Sequence, residues 1–135
     1  MKYFTLILSF IFLTSCATKP TANDNEILIN TTSKVSVGNN YELKISKNIA
    51  DSRCPEGVSC VWAGEVQLEI EIYKNQELES TEKLSINYKN LEMNKEFFAK
   101  YLPSDKKIKE ILVLPAKNQD RAIDLKDYVL KIELE

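Results

Sequence analysis

The chain has 135 residues and a formal net charge of −2, and it contains no histidine. Without histidine there is no Ser-His-Asp or Cys-His catalytic group and no histidine metal ligand, which also argues against a typical zinc site. Acidic and basic residues are interspersed with no basic block, which argues against nucleic-acid binding. These features predict a protein that is not an enzyme and that needs no metal or other cofactor.

The first residues have the three parts of a bacterial lipoprotein signal. Lys2 is the positive region, residues 3–13 are nearly all apolar, and Leu13-Thr14-Ser15-Cys16 has the form of a lipobox. The apolar run is shorter than the roughly 20 residues that a permanent membrane-spanning helix needs. We therefore predict a signal peptide over 1–15 and a lipid on the Cys16 thiol that anchors the protein to a membrane. The alternative is a buried N-terminal strand with an incidental cysteine.

The segment 16–26 begins with the cysteine that would carry the lipid and continues with small and polar residues and one proline. Such a composition cannot form a core and predicts a flexible tether. Ala17 occupies the position where an aspartate would act as an inner-membrane retention signal. The predicted location is therefore the bacterial cell envelope, at the outer membrane and facing the periplasm.

From residue 27 onward, apolar residues recur mostly at every second position, which is the period of β-strands. The clearest strand runs from Val66 to Ile72, and turn signals such as Gly38-Asn39-Asn40 and Lys74-Asn75-Gln76 separate the strands. The pattern predicts one all-β domain over 27–135, a compact antiparallel β-sandwich or partly open barrel of about six to eight strands. Further strands are predicted around Val35 and Val37; Tyr41, Leu43 and Ile45; Leu84, Ile86 and Tyr88; Ile108, Ile111, Val113 and Leu114; and Tyr128, Leu130, Ile132 and Leu134.

Residues 91–102 depart from this alternation. Their apolar side chains, including Phe97, Phe98 and Tyr101, would share one face of a helix that Pro103 stops. We predict a short helix or an irregular crossover here, with the aromatic rings in the core rather than in a sugar-binding stack.

Residues 51–65 also break the β pattern, and they hold two of the three cysteines and the only tryptophan. If Cys16 carries the lipid, Cys54 and Cys60 form an even pair, and outside the cytoplasm we expect a disulfide between them. The alternatives are a redox pair, whose cysteines are usually closer in sequence, and a metal clip, which needs further soft ligands. A disulfide would fix the shape of this short loop and stabilise the fold by about 2–3 kcal/mol.

The run Asp51-Ser52-Arg53-Cys54-Pro55, followed by Val58, Cys60 and Trp62-Ala63-Gly64, resembles a D-S-R-C-P-x-x-V-x-C-x-W-A-G signature of small exported bacterial proteins, many of them lipoproteins. In that family the signature lies between two strands of a compact β domain, and the strand that ends at Leu114-Pro115 is also similar to the family pattern. The resemblance implies the β fold, the disulfide and export. It implies no reaction and no catalytic residue.

Arg53 and Asp51 have two interpretations. The planar guanidinium could anchor an acidic ligand or partner. Alternatively, Arg53 forms a local ion pair with Asp51 or a cation–π contact with Trp62 that braces the loop, and we favour this structural interpretation. Trp62 could be a binding platform, but its apolar neighbours predict a ring that enters the next strand and packs in the core under the loop.

Three carboxylates, those of Asp51, Glu56 and Glu65, lie in the same segment. A pair of carboxylates could serve glycoside hydrolysis, but only their number supports this, and we expect solvated surface groups. The candidate interaction loop is defined by Asp51, Arg53, Pro55, Glu56 and Trp62.

Taken as a whole, the sequence predicts a non-catalytic, lipid-anchored protein-interaction module that presents a disulfide-braced loop to an unknown envelope protein. A rigid loop loses less entropy on binding than a flexible one. Two alternatives stay open. The protein could inhibit an exported hydrolase or protease by inserting Arg53-Cys54-Pro55 into its cleft, or it could bind a small ligand within the sandwich or at its mouth.

Overall fold

Seven β-strands and one short helix make up the part of the chain that the computed structural model describes, residues 25–135. The elements are β1 (Glu26–Asn30), β2 (Val35–Gly38), β3 (Tyr41–Asp51), β4 (Val66–Lys74), β5 (Glu77–Ile86), α1 (Leu91–Ala99), β6 (Ile108–Leu114) and β7 (Val129–Leu134). Single 3-10 turns, Tyr88–Asn90 and Leu125–Asp127, precede α1 and β7. Residues 25–135 contain no helix with the length and apolar composition of a membrane span.

The strands form two antiparallel sheets, one with the order β1-β7-β6 and the other with the order β2-β3-β4-β5. The inner faces of both sheets contribute to one hydrophobic core. This confirms the predicted all-β antiparallel sandwich, and neither sheet closes into a barrel. The predicted signal peptide and Cys16, the predicted site of the lipid, lie outside the described residues, as does the segment 16–26 up to residue 24. β1 begins at Glu26, the last residue of that segment.

The strand alternation that the sequence predicted is confirmed in the core. In β4 every second side chain from Val66 to Ile72 is buried, and Tyr128 and the alternate residues of β7 are buried against them. Burying such aliphatic side chains stabilises the fold by about 1.5–3 kcal/mol each. The fully buried aliphatic side chains are Ile29, Leu43, Ile45, Val66, Leu68, Ile70, Ile72, Leu130 and Ile132.

The helix α1 confirms the prediction for residues 91–102 and closes one side of the core. Phe98 and Leu102 are buried, and Phe97 and Tyr101 pack against them with Phe97 edge-on to both Phe98 and Tyr101. The buried Asn94 donates from Nδ2 to the carbonyl oxygen of Ser85 at 2.9 Å, which holds the helix against β5. The aromatic rings are therefore part of the core.

Residues other than glycine occupy the central positions of the two predicted tight turns. Asn39 and Asn40, and likewise Asn75 and Gln76, have positive φ angles of 50°, 63°, 50° and 72°. Consecutive left-handed residues fit the right-handed twist of a hairpin, and asparagine tolerates this conformation better than most side chains. The prediction failed at Tyr88, which was expected to continue β5. It lies in the 3-10 turn instead and is 66% exposed, because Asn87 accepts hydrogen bonds from Lys89 and Asn90 and ends the strand.

Candidate functional site

The candidate site is the cysteine loop, residues 52–65, which joins β3 to β4. Two hydrogen bonds extend the pairing of these strands into the loop. Ser52 N donates to Glu65 O at 2.8 Å, and Cys54 N donates to Ala63 O at 2.9 Å. The base of the loop is therefore a continuation of the sheet, and only the residues between Cys54 and Ala63 leave it.

A disulfide closes this outer part, as the sequence predicted. The Cys54 and Cys60 sulfurs are 2.08 Å apart and their Cα atoms are 6.0 Å apart. Inside the ring, Val58 N donates to Pro55 O at 3.3 Å, and Gly57 has a φ of +77°. By the chain-entropy argument a ring of this size stabilises the folded state by about 2–3 kcal/mol.

Gly64 is required where the loop returns to the sheet. Its φ is +74°, a backbone conformation that side chains other than glycine adopt at a cost. A Cβ atom there would overlap the carbonyl oxygen of Ser52. The close approach of the two backbone segments at the base of the loop therefore depends on the absence of a side chain at this position.

The Asp51 carboxylate organises the start of the loop. Arg53 contacts it through Nε to Oδ1 at 3.0 Å and through Nη2 to Oδ2 at 2.7 Å, in the two-point geometry that favours arginine over lysine. The Arg53 backbone N–H also donates to Oδ1, and the Tyr128 hydroxyl donates to Oδ2 at 2.9 Å. Four hydrogen bonds thus saturate a carboxylate that is only 8% exposed.

These contacts shift the pKa values of the Asp51 carboxyl and of the Tyr128 hydroxyl. Burial raises the pKa of the Asp51 carboxyl, but the hydrogen bonds from Arg53 and Tyr128 and the Arg53 charge outweigh it, and the pKa falls below its ordinary value of 3.8. Burial, together with the hydrogen bond to Asp51, raises the pKa of Tyr128 to about 12. At neutral pH the cluster therefore holds an ionised Asp51 and a neutral tyrosine.

The same cluster attaches the loop to the other sheet. Arg53 Nη1 donates to the Val113 carbonyl oxygen of β6 at 2.6 Å. Lys117 Nζ donates to the Asp51 carbonyl oxygen at 2.8 Å, and Glu56 N donates to the Lys117 carbonyl oxygen at 2.9 Å. The ion-pair interpretation of Arg53 is confirmed. The guanidinium is bound on both sides, so its use as an anchor for an acidic ligand is not supported, and within the described residues it makes no cation–π contact with Trp62.

The prediction that Trp62 lies in the core was wrong. The indole is 59% exposed, Val61 beside it is fully exposed and Val58 is 38% exposed. The strand β4 begins only at Val66, and Trp62 lies beyond the hydrogen bond between Cys54 and Ala63, at the outer end of the loop. Trp62 is outside the paired part of the loop, and its ring is therefore exposed to solvent. We call Val58, Val61 and Trp62 the loop tip.

Two of the three carboxylates of the segment, those of Asp51 and Glu65, differ from the solvated surface groups that the sequence predicted. Only Glu56 is exposed. Glu65 accepts from Gln67 and Ser85 at 2.6 Å each and from Asn87 at 3.1 Å, and these hydrogen bonds lower the pKa of its carboxyl. Asp51 and Glu65 are each occupied by structural partners, which gives no support to a catalytic pair. Pro55, half-buried, lies at the turn before Glu56.

A cleft of about 470 Å³ lies beside the loop, between the edges of the two sheets. Cys54, Ala63 and Gly64 form its loop side, and Tyr88 and residues 110–114 lie on other sides. Sequence reasoning missed this cleft. Its walls come from segments far apart in the chain, and no local pattern in any one of them signals that they meet.

Within residues 25–135 no cluster of three or more His, Cys, Asp or Glu side chains is arranged to hold a metal ion. The chemistry of the site therefore consists of a locked loop base, an apolar tip and a neighbouring apolar cleft. No known family model matches the chain, and searches of curated proteins and of solved structures found no match.

Proposed function

We propose that this protein is a non-catalytic interaction module of the bacterial cell envelope, which presents the loop tip to a protein partner. One observation carries the proposal. Val61 and Trp62 are exposed on a loop whose base is held by the disulfide, by sheet hydrogen bonds and by the cluster around Asp51. Several exposed apolar side chains that a rigid support holds together on one loop are typical of a binding surface.

The physical argument concerns the cost of binding. Ordering a flexible side chain or loop at an interface costs about 0.5–1.5 kcal/mol per side chain, and a loop that is already ordered avoids much of this cost. Tryptophan is among the residues that contribute most to protein interfaces, since one ring buries a large area and retains a polar N–H. Trp62 combines a large aromatic ring with a position on a loop that is already ordered.

The alternative function as a protease inhibitor has less support. It requires Arg53-Cys54-Pro55 to enter an enzyme cleft, but the Arg53 side chain is 17% exposed and bound to Asp51 and Val113. Inserting it would break these contacts and leave the Asp51 carboxylate without its charged partner. Binding through the loop tip, by contrast, would leave the contacts of Arg53 intact.

The proposed location is the periplasmic face of the outer membrane, with a lipid on Cys16. It rests on the lipobox Leu13-Thr14-Ser15-Cys16 and on Ala17. The first strand of the domain begins at Glu26, and the residues between Cys16 and Glu26 reach at most about 35 Å when extended. The loop tip would therefore act within a short distance of the membrane. Loss of lipid labelling and release into the soluble fraction in a Cys16→Ser variant would test this part.

The interaction is tested by site-specific photocrosslinking in intact cells. A photoreactive amino acid replaces Val61 in one variant and Leu78 in a matched control; Leu78 is 55% exposed on β5, away from the loop. We expect one recurrent adduct from position 61 and none of that mass from position 78. We also expect Trp62→Ala to abolish the adduct and Met93→Ala, an exposed helix position, to preserve it. Identical adducts from both positions, or none from position 61, would refute the proposal.

A further inference from the structure

The cleft beside the cysteine loop runs along the edge of β6 that faces away from β7. Five consecutive residues, Glu110 to Leu114, line it. Successive side chains of a strand point to opposite faces, so a cavity on one face would contact every second residue. A cavity that contacts all five must follow the edge of the strand, where the backbone lies. The opposite wall contains Val66 and Ile86, which lie at the end of the other sheet.

Backbone groups of β6 point into this cleft. Among residues 25–135, β6 is an edge strand that pairs with β7 alone, and Val113 lies opposite Leu130. The Val113 carbonyl oxygen accepts from Arg53, so it points away from β7. In an antiparallel pair both polar groups of such a residue point the same way, and the residue two positions along repeats the pattern. The N–H of Val113 and both backbone groups of Ile111 therefore face outward, and within residues 25–135 no backbone group outside the sheets pairs with them.

We propose that the cleft binds an extended peptide segment of the partner, which adds to β6 as a further strand. Main-chain hydrogen bonds to both backbone groups of Ile111 and to the N–H of Val113, whose carbonyl oxygen already accepts from Arg53, would supply affinity. Alternate apolar side chains of the peptide would enter the cavity. Its volume of about 470 Å³ lies within the usual range for binding pockets, roughly 300–1,000 Å³. The proposal rests on the proposed function, because the segment would belong to the protein that contacts the loop tip.

The charges on the rim specify the partner further. Arg53 and Lys117 line the cleft, but both bind Asp51, through its carboxylate and its carbonyl oxygen respectively. Glu56 and Glu110 also line it, and neither takes part in an ion pair with another described residue. A carbonyl oxygen does not neutralise the Lys117 ammonium, so the rim carries two free carboxylates against one free cation. This excess of negative charge complements lysine or arginine beside the apolar positions of the peptide.

A defined probe tests the proposal. It is a fluorescein-labelled peptide of eight residues in which valine and threonine alternate between two terminal lysines, titrated with the purified domain and followed by anisotropy. Two further peptides carry N-methyl groups on the first or on the second set of alternate residues. Only one set faces β6 in a paired strand, so we expect one N-methylated peptide to lose at least about tenfold in affinity and the other to bind normally.

The rim charges are tested in the same assay. We expect Glu110→Gln and Glu56→Gln to weaken binding by about three- to tenfold and to reduce its salt dependence, because a rim charge acts mainly at low ionic strength. Glu77→Gln at the far end of β5 is the matched control and should change nothing. Replacing the terminal lysines of the peptide by glutamate should weaken binding further.

The outcomes separate this proposal from the one on which it rests. Equal binding of both N-methylated peptides, or no saturable binding up to millimolar concentration, would refute strand addition. Trp62→Ala leaves the β6 edge intact and should bind the probe normally while it loses the crosslinked adduct. A protein that gives the adduct but binds no peptide would keep the loop-tip function and overturn the peptide cleft. Peptide binding without any adduct would support strand addition and refute the loop-tip contact.

Discussion

The Tyr128 hydroxyl donates a hydrogen bond to Asp51 Oδ2 across 2.9 Å, and this bond joins the two sheets at the base of the cysteine loop. Asp51 is the last residue of β3, and Tyr128 immediately precedes β7 in the other sheet. Because Arg53 also connects Asp51 to Val113 of β6, the loop is fixed to both layers of the sandwich. Its rigidity is a property of the whole fold as well as of the disulfide.

The first prediction concerns the variant Tyr128→Phe. It retains the buried ring and removes the hydroxyl that bonds to Asp51 and to Asn48, so we expect a loss of about 1–2 kcal/mol in the free energy of unfolding, measured by urea denaturation. The pKa of the Asp51 carboxyl should rise, since one hydrogen bond to its ionised form is lost, and carboxyl-carbon NMR titration would detect this.

The control for that variant is Tyr88→Phe. Tyr88 is 66% exposed, and we expect its substitution to change stability by less than about 0.5 kcal/mol. Equal losses in the two variants would show that the hydrogen bond between Tyr128 and Asp51 contributes nothing specific.

The second prediction concerns acid and follows from Asp51. Its folded pKa lies below the ordinary value of 3.8, so the ionised carboxylate contributes stability that is complete above the unfolded pKa and is lost as the pH falls through the folded pKa. Asp51→Asn should cost about 2–3 kcal/mol at neutral pH, because the charge-assisted hydrogen bonds are weakened. The difference from the unsubstituted protein should shrink steadily below about pH 4. A difference that is constant down to pH 2 would contradict the assignment.

The β pattern was predictable because alternation along Val66 to Ile72 and along β7 directly reflects which face is buried. The disulfide was predictable from the number of cysteines and from the expected location outside the cytoplasm. The exposure of the Trp62 ring was not predictable, because an apolar residue next to a strand has the same local sequence whether its side chain points into the core or into solvent. Its position depends on where the pairing of Cys54 with Ala63 ends, and the cleft depends on the meeting of distant segments.

The third prediction compares two glycines with nearly equal φ angles. Gly64 and Gly57 have φ values of +74° and +77°, but only a Cβ on Gly64 would overlap another atom, the Ser52 carbonyl oxygen. We expect Gly57→Ala to cost about 1–2 kcal/mol for the left-handed backbone alone. Gly64→Ala should cost at least about 3 kcal/mol, since steric overlap with backbone is added. Equal costs in thermal or urea unfolding would contradict the close approach at the loop base.

The fourth prediction concerns the disulfide. The double variant Cys54→Ser/Cys60→Ser should lose about 2–3 kcal/mol of stability, because the open chain gains entropy in the unfolded state. The folded core should remain, since neither cysteine belongs to it. Limited proteolysis should cut the variant within residues 55–61 faster than the unsubstituted protein, and reduction of the unsubstituted protein should reproduce this. Unchanged cleavage would show that the cluster around Asp51 fixes the loop without the disulfide.

The fifth prediction contrasts two aromatic residues. Trp62 is 59% exposed and Phe98 is 1% exposed, so Trp62→Ala should change stability by less than about 0.5 kcal/mol, whereas Phe98→Ala should cost about 3–5 kcal/mol. As the only tryptophan of the chain, Trp62 also reports on its own surroundings. Its fluorescence in the folded protein should be quenched by acrylamide almost as efficiently as in urea. A protected, blue-shifted indole together with a large loss in Trp62→Ala would place the ring in the core, and the loop tip would then have no exposed aromatic group to offer a partner.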